Sequence, residues 1–465
     1  MANAATNFNR QFQSNSLQAI YDQYISSTSA IGIDRIDRIA FEKKIDSELE
    51  IIKRKVSDGT YNFSQYREKL ISKGAGKYPR VISIPTFRDR IVLRGLCNVL
   101  RDTFADDLEQ KIPQHVIAGI KIELSAAKFS HFIKIDISNF YPSIDHKILE
   151  STVKRRIRKP QLFTLIQKAI SSPTVAFPDK AIESAARGVP QGLAISNILA
   201  EIYLKKFDAM VSSLSDIAYF RYVDDVLVLC NSNPEDLFEN IRSEFEKKFN
   251  LTVHPLGEKS KSRVADIDES FSFLGYLFSD GKAEIKKDSI LRIEGALAKI
   301  FTTFKYKNSQ IESNYQGLQK DLKLKKSRAI FLWRLNLRIT GCIFDGARKG
   351  WVFYFSQIDE SNIRQLRKLD ITVSTIAARF GVTFSGNDRK SFLRTFFETQ
   401  KHNNISQKYI PNFDTVDETE QRRILAEYFG VENVNGFTSD QVIRSFKSRI
   451  QRATRELEHD IQDIS

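Results

Sequence analysis

Ile217-Ala218-Tyr219-Phe220-Arg221-Tyr222-Val223-Asp224-Asp225-Val226-Leu227-Val228-Leu229-Cys230 is the stretch that decides how this chain folds. β-Branched and aromatic residues fill both halves, and two adjacent acids interrupt them. The pattern predicts two strands joined by a tight turn, with the carboxylates at its tip. Like charges about 4 Å apart repel by roughly 4 kcal/mol at an effective dielectric of ~20. A fold that keeps such a pair ordinarily supplies a cation for it. Hard oxygen ligands with no His or Cys beside them suit Mg²⁺, or Mn²⁺ in its place. Taken alone, Asp224-Asp225 also suits a polar hairpin tip in solvent.

Upstream lies His131-Phe132-Ile133-Lys134-Ile135-Asp136-Ile137-Ser138-Asn139-Phe140-Tyr141. Ile133, Ile135 and Ile137 alternate onto one strand face, which turns Lys134 and Asp136 to the other. Two aromatics and Pro142 then end the strand. A lone Asp on a strand is ordinarily a surface residue. Asp136 with Asp224 and Asp225 would instead make a three-carboxylate, two-metal site, of the kind that activates a 3′-hydroxyl in nucleotidyl transfer. Between these acids runs Arg187-Gly188-Val189-Pro190-Gln191-Gly192-Leu193-Ala194-Ile195-Ser196-Asn197. Its glycines and proline specify a backbone that comes close to something. Ile195, Ile198, Leu199 and Ile202 then fall at helical spacing.

In this order the motifs resemble those of prokaryotic reverse transcriptases, a group that includes group II intron, retron and abortive-infection or defence-associated enzymes. Lys77 to Thr86 with Arg88-Asp89-Arg90 resembles the fingers segment, and Asp136 to Tyr141 the first palm motif. Arg187 to Asn197 is similar to the nucleotide-positioning motif, and Tyr222 to Asp225 to the YxDD box. Glu258-Lys259-Ser260 resembles the fourth palm motif, and Phe271 to Tyr276 the primer grip.

The resemblance implies an α+β right-hand polymerase with an α-helical C-terminal domain. Its parts would be an N-terminal helical extension over 1–75, fingers over 76–130, palm over 131–285, thumb over 286–345 and the C-terminal domain over 346–465. It implies that Asp136, Asp224 and Asp225 hold two Mg²⁺ ions, with the Ile137 carbonyl as a further ligand. Tyr141 would be the steric gate against a ribose 2′-OH, although a core aromatic suits it too. Lys77, Arg80 and Arg90 would hold the triphosphate, Arg through its planar fork, though single cations are mostly solvated surface. Gln191 and Gly192 would lie against the nucleotide. Lys259 would be the proton donor to pyrophosphate. Phe273, Leu274 and Gly275 would touch the primer, or form an ordinary core strand.

Bulk properties agree with a nucleic-acid partner. The 465 residues carry 71 Lys and Arg against 57 acids, a formal charge of +14. Residues 281–360 hold 16 basic and 8 acidic side chains, so much of that excess sits in one short region. Such a concentration fits a nucleic-acid-binding face or a solvated helix surface. Lys320 to Arg338 interleaves cations with Ile330, Phe331, Trp333, Leu335 and Leu337, as a thumb helix or any amphipathic helix does. Cys97, Cys230 and Cys342 lack metal spacing, which points to a reducing cytoplasm. No window approaches a membrane span.

Arg348 to Phe355 is the densest aromatic patch of the C-terminal region, suited to core packing or to stacking RNA bases. Ile443 to Arg452 reads as a basic amphipathic helix. The segment Leu335 to Phe344, with Gly350-Trp351 and Tyr354 to Ile358, resembles defence-associated enzymes that work with a small non-coding RNA. The expected partners are therefore a cognate non-coding RNA template, a DNA product and deoxynucleotides, with no membrane and a homo-oligomer left open. The alternatives are template-independent or protein-primed DNA synthesis of the abortive-infection type, and an RNA-binding splicing-type cofactor with a vestigial polymerase site. The intact acid set argues against the last.

Overall fold

The computed structural model describes residues 4–26, 28–72, 78–106, 108, 112–257, 260–386, 388–400, 409–458 and 460–461. The fold is α+β. It divides into two compact units, residues 1–111 with 128–266 and residues 112–127 with 267–465. The unit that holds the first-motif strand and the acidic hairpin thus ends at Asp266.

In the first unit β1 (Tyr66–Ile71) and β2 (Arg80–Ile84) pair antiparallel. β3 (His131–Asp136) carries the first acid, and the two-residue β4 (Thr174–Val175) lies parallel to β1. The stretch that opened the sequence reading forms β5 (Ile217–Tyr222) and β6 (Asp225–Cys230), paired antiparallel across Val223-Asp224. β7 (Arg263–Asp266) completes a four-stranded sheet in the order β5-β6-β3-β7. All its pairings are antiparallel. Ile133 stands opposite Val228 and Ile135 opposite Val226, and all four are buried. This is the alternation expected of a strand with one face on the core.

The helices Ser196–Ser212 and Pro234–Phe249 belong to the same core. Leu199 and Ile202 are buried, Ile198 is half-buried, and the Phe207 and Phe245 rings stack with centroids 3.9 Å apart. The helix Phe87–Thr103 is capped by Thr86. Thr86 Oγ1 accepts from the Asp89 N–H at 3.2 Å and donates to Asp89 Oδ2 at 2.8 Å. Asp89 Oδ1 also accepts from the Tyr61 hydroxyl at 2.7 Å, and Oδ2 from the Ser64 N–H at 3.2 Å.

The second unit opens with the helix Pro113–Ser125, far in sequence from its neighbours. Lys121 Nζ pairs with Asp359 Oδ1 at 3.0 Å and donates to the Gln357 carbonyl at 2.9 Å. β8 (Phe271–Phe273), β9 (Tyr276–Ser279) and β10 (Lys282–Ile285) form an antiparallel meander. Both hairpins turn on two residues with positive φ, Leu274-Gly275 and Asp280-Gly281, the signature of type I′ turns. The long helices Lys287–Asn314 and Gly317–Thr340 follow. β11 (Cys342–Phe344) and β12 (Ala347–Lys349) then pair, and the helix Arg364–Arg379 lies beyond them.

The aromatic patch at Trp351 to Phe355 is buried, so its reading as core holds. The basic helix expected near Ile443 is Ser439–Glu458, with Val442, Phe446, Ile450, Thr454 and Leu457 on its buried face. No described helix is long and apolar enough to cross a membrane.

Candidate active site

The end of β3 and the β5–β6 turn bring the three acids together. Asp136 stands opposite Asp225 in the β3–β6 register, and Asp224 is the turn residue beside it. Val223 has φ of 56°, and Asp224 is not among the positive-φ residues, the pattern of a type II′ turn that ordinarily has glycine first. A β-branched residue in that region costs on the order of 1–3 kcal/mol, and such strain persists only where the surroundings impose it.

The carboxylates are short of positive charge. Burial pushes the Asp225 carboxyl up to about 7, with repulsion from Asp224 next. Burial likewise raises Asp224, with Asp136 adding to it, while Arg80 and Lys261 pull it back. Asp225 Oδ2 is buried with no hydrogen-bond partner among the described residues. Asp136 is better matched. Its Oδ2 lies 3.3 Å from Lys261 Nζ and 3.3 Å from His254 Nε2. Its N–H donates to Ser262 Oγ at 3.1 Å, and its carbonyl accepts from the His254 N–H at 3.1 Å.

These donors fit a hard divalent cation: all are carboxylate oxygens, two of the carboxyls are raised, and one oxygen is orphaned. Among the described residues no group of three His, Cys, Asp or Glu side chains stands ready-made to hold a metal ion. Ile137 is buried and bridges to Val253, which continues the strand past Asp136.

The loop from Arg187 to Asn197 is fastened on both sides. The Gly188 N–H donates to the Ile144 carbonyl at 2.8 Å, and the Val189 N–H to the Tyr141 carbonyl at 2.9 Å. A Cβ on Gly188 would meet the Pro142 carbonyl oxygen at 2.9 Å, so a close backbone approach explains this glycine. The Gln191 carbonyl accepts from the Ser83 N–H at 2.7 Å, and a Cβ on Gly192 would meet Ile82 Cγ2 at 2.8 Å. The loop therefore lies against β2, the strand that Arg80 begins. The Tyr141 hydroxyl donates to Asn197 Oδ1 at 2.8 Å, which fixes its ring. Burial, then the nearby Asp224 charge, pushes that phenol well above its ordinary range.

Other sequence candidates have partners of their own. The Arg90 guanidinium donates to Thr28 Oγ1 at 3.0 Å and to the Ala30 carbonyl at 2.6 Å, and covers the Phe87 ring. These bonds fasten an N-terminal segment. Phe273, Leu274 and Gly275 belong to the second unit. Phe273 and Leu274 are buried there; the Leu274 carbonyl accepts from the Tyr354 hydroxyl at 3.2 Å, and the Gly275 carbonyl from the Lys286 N–H at 3.0 Å. Lys77 and Lys259 lie outside the described residues.

Sequence reasoning passed over three side chains. Lys261 is the cation the structure sets against Asp136, and the Lys-Ser-Lys run from 259 to 261 was its signal. His254 was a lone histidine without a pattern. Arg221 adjoins the acidic box, inside a stretch that read as strand. Its side chain is fully buried between Glu201 and Asp208.

Three acids converging at one end of an antiparallel sheet, with a fixed aromatic ring and a glycine-bearing loop beside them, make the palm of a nucleotidyl-transferring polymerase. Residues 71–278 match the family described as reverse transcriptase (RNA-dependent DNA polymerase). Over that segment the chain is similar to reverse transcriptases, RNA-directed DNA polymerases. Protein YkfC of Escherichia coli (strain K12) is 24% identical over 291 residues, covering 53% of this chain and 74% of YkfC. Group II intron-encoded protein LtrA of Lactococcus lactis subsp. cremoris is 27% identical over 205 residues. That match covers 42% of this chain and 33% of LtrA, so the chain spans a third of that relative. Among solved structures, telomerase from Candida albicans aligns with a TM-score of 0.39 at 14% identity, over 86% of this chain and 69% of that one.

Proposed function

We propose that this reverse transcriptase copies a cognate non-coding RNA into cDNA as part of bacterial antiphage defence. The observation that carries the chemical half is the acid set: Asp136 opposite Asp225, Asp224 beside them, and an unpartnered Asp225 oxygen, all inside residues 71–278. The defence half rests on the resemblance of residues 335–358. Asp136, Asp224 and Asp225 would hold Mg²⁺, with the Ile137 carbonyl as a further ligand. The metal would lower the pKa of a primer 3′-hydroxyl and neutralise charge on the leaving pyrophosphate.

The chain's own groups do the rest. Tyr141, held by Asn197, presents a ring that a ribose 2′-OH would strike. Arg80 meets the triphosphate, with Lys77 and Arg90 as further fingers cations. Gln191 and Gly192 bound the nucleotide from the loop. Lys259 protonates pyrophosphate, and Phe273 to Gly275 support the primer. Three buried, unpaired cysteines agree with a cytoplasmic location.

The test is incorporation of labelled deoxynucleotides by the protein purified with its accompanying RNA. Product complementary to one co-purified RNA supports the reading. Homopolymeric or random product, above all if it stays attached to protein after nuclease digestion, moves the function to untemplated or protein-primed synthesis. Chelation by EDTA is expected to stop incorporation, and Mg²⁺ to restore it. Asp224→Asn with Asp225→Asn is expected to lower incorporation by at least a thousandfold while RNA binding survives. Wild-type synthesis by that variant would end the metal assignment.

A further inference from the structure

Arg221 lies on β5 one residue before the acidic box, and its side chain is fully buried. Its guanidinium meets three acceptors. Nε donates to Asp208 Oδ1 at 2.6 Å, and Nη2 to Glu201 Oε2 at 2.7 Å. Nη1 donates to Glu201 Oε1 at 3.1 Å and to the Val223 carbonyl at 2.8 Å. Glu201 and Asp208 are seven residues apart on the helix Ser196–Ser212, two turns, so both present carboxylates on the same face. The Tyr219 hydroxyl donates to Asp208 Oδ1 at 2.6 Å, which orients that carboxylate.

A buried ion pair alone would tie β5 to the helix. The bond to the Val223 carbonyl does something else. Its acceptor is the carbonyl of the residue that holds φ of 56° against the preference of its own side chain. The strand register already fixes Tyr222 against Asp225 but leaves the two turn residues without a ladder partner. The Arg221 bond reaches into that gap, and only a planar fork spans two carboxylates and a carbonyl at once.

We propose that Arg221 is the positioning residue of the polymerase site: through the Val223 carbonyl it holds the turn that presents Asp224 and Asp225. The proposal rests on the polymerase reading above. An ammonium at this position has no fork, so Arg221→Lys keeps a charge beside Glu201 or Asp208 and loses the simultaneous grip on the turn. Glycine takes positive φ without cost, so Val223→Gly should make the grip dispensable. Arg221 and Val223 should therefore couple in catalysis.

The experiment measures kcat, the KM for deoxynucleotide and Tm on a primed RNA template for Arg221→Lys, Val223→Gly and the double variant, with Val223→Asn as a second relaxed background. With Val223 in place, Arg221→Lys is expected to lower kcat tenfold or more with KM within twofold of wild type. Combined with Val223→Gly or Val223→Asn, the same change should cost less than threefold. A purely structural arginine would lower Tm and the active fraction alike in every background, and an equal loss of kcat in all of them overturns the proposal. If Arg221→Lys does not fold, Glu201→Gln goes through the same cycle; no loss, or equal losses with and without Val223→Gly, likewise overturns it. An inactive wild-type protein would instead refute the polymerase reading, so the two failures are distinguishable.

Discussion

Asp89 shows how a single side chain can carry a motif's meaning in a way the motif does not announce. In sequence it sits inside Arg88-Asp89-Arg90 and resembles part of a nucleotide-facing segment. In the structure it is buried in the first turn of a helix that Thr86 caps, and gathers Tyr61, Ser64 and Thr86 around one carboxylate. Burial pushes the carboxyl up to about 6, and its hydrogen bonds offset part of that. The folded chain thus holds a proton that the unfolded chain, with an Asp near 3.8, releases. The stabilisation is complete below pH ~4 and is lost as the pH rises through about 6, amounting to ~3 kcal/mol at 1.36 kcal/mol per unit. Asp89→Asn removes the titration. Urea unfolding between pH 4 and 7 should show wild-type stability falling by roughly 1–3 kcal/mol relative to the variant. Parallel curves would show that Asp89 does not titrate there. The acid set itself was legible, since Asp136, Asp224 and Asp225 each stood out as charge within an apolar run. Arg221 and Lys261 were not, because a cation near an acid in sequence says nothing about which carboxylate it meets.

At the scale of elements, local pattern served well wherever a period or a turn dictated the structure. β3 and the β5–β6 hairpin follow from alternation and from two acids in a row, and Asp280-Gly281 turns the β9–β10 hairpin as its composition required. The turn at Leu274-Gly275 was less visible, because leucine rarely takes positive φ and nothing in its type announces that it will. The hairpin of β11 and β12 depends on two glycines that face each other. A Cβ on Gly341 would stand 2.2 Å from the Lys349 carbonyl oxygen, and one on Gly350 would stand 2.6 Å from Gly341 Cα. Backbone cannot retreat as a flexible side chain would. Gly341→Ala and Gly350→Ala are each expected to destabilise the second unit by about 3 kcal/mol or more, to which the φ of 63° at residue 341 adds strain. Thermal melts that leave either variant within a degree of wild type would contradict this.

For the whole molecule, the helix Pro113–Ser125 is the clearest case of what sequence could not disclose. It joins residues more than 230 positions away, through Lys121 to Gln357 and Gln114 to the Phe353 carbonyl, and pairings at such separation leave no periodic trace. Charge, in contrast, was legible from composition. Part of it gathers where Lys307 is held below its ordinary range by burial and by Arg334, Lys326 and Lys323. Cations that repel one another in the free protein gain most from a polyanion. RNA binding should weaken as salt rises, and Lys323→Gln with Lys326→Gln should flatten the slope of log affinity against log salt by roughly 1.5. An unchanged slope would place the RNA elsewhere.

The facing pair Gly341 and Gly350 has a consequence for inheritance. A side chain at 350 would strike Gly341, and one at 341 would strike the main chain just before Gly350, so the two sites vary under one constraint. Descendants that keep this hairpin should keep both residues, and those that lose one should lose the other along with the β11–β12 turn. A signature over residues 335–358 is then partly a record of shared scaffold, passed down because main chain touches main chain, and it can outlive a change in what the polymerase copies.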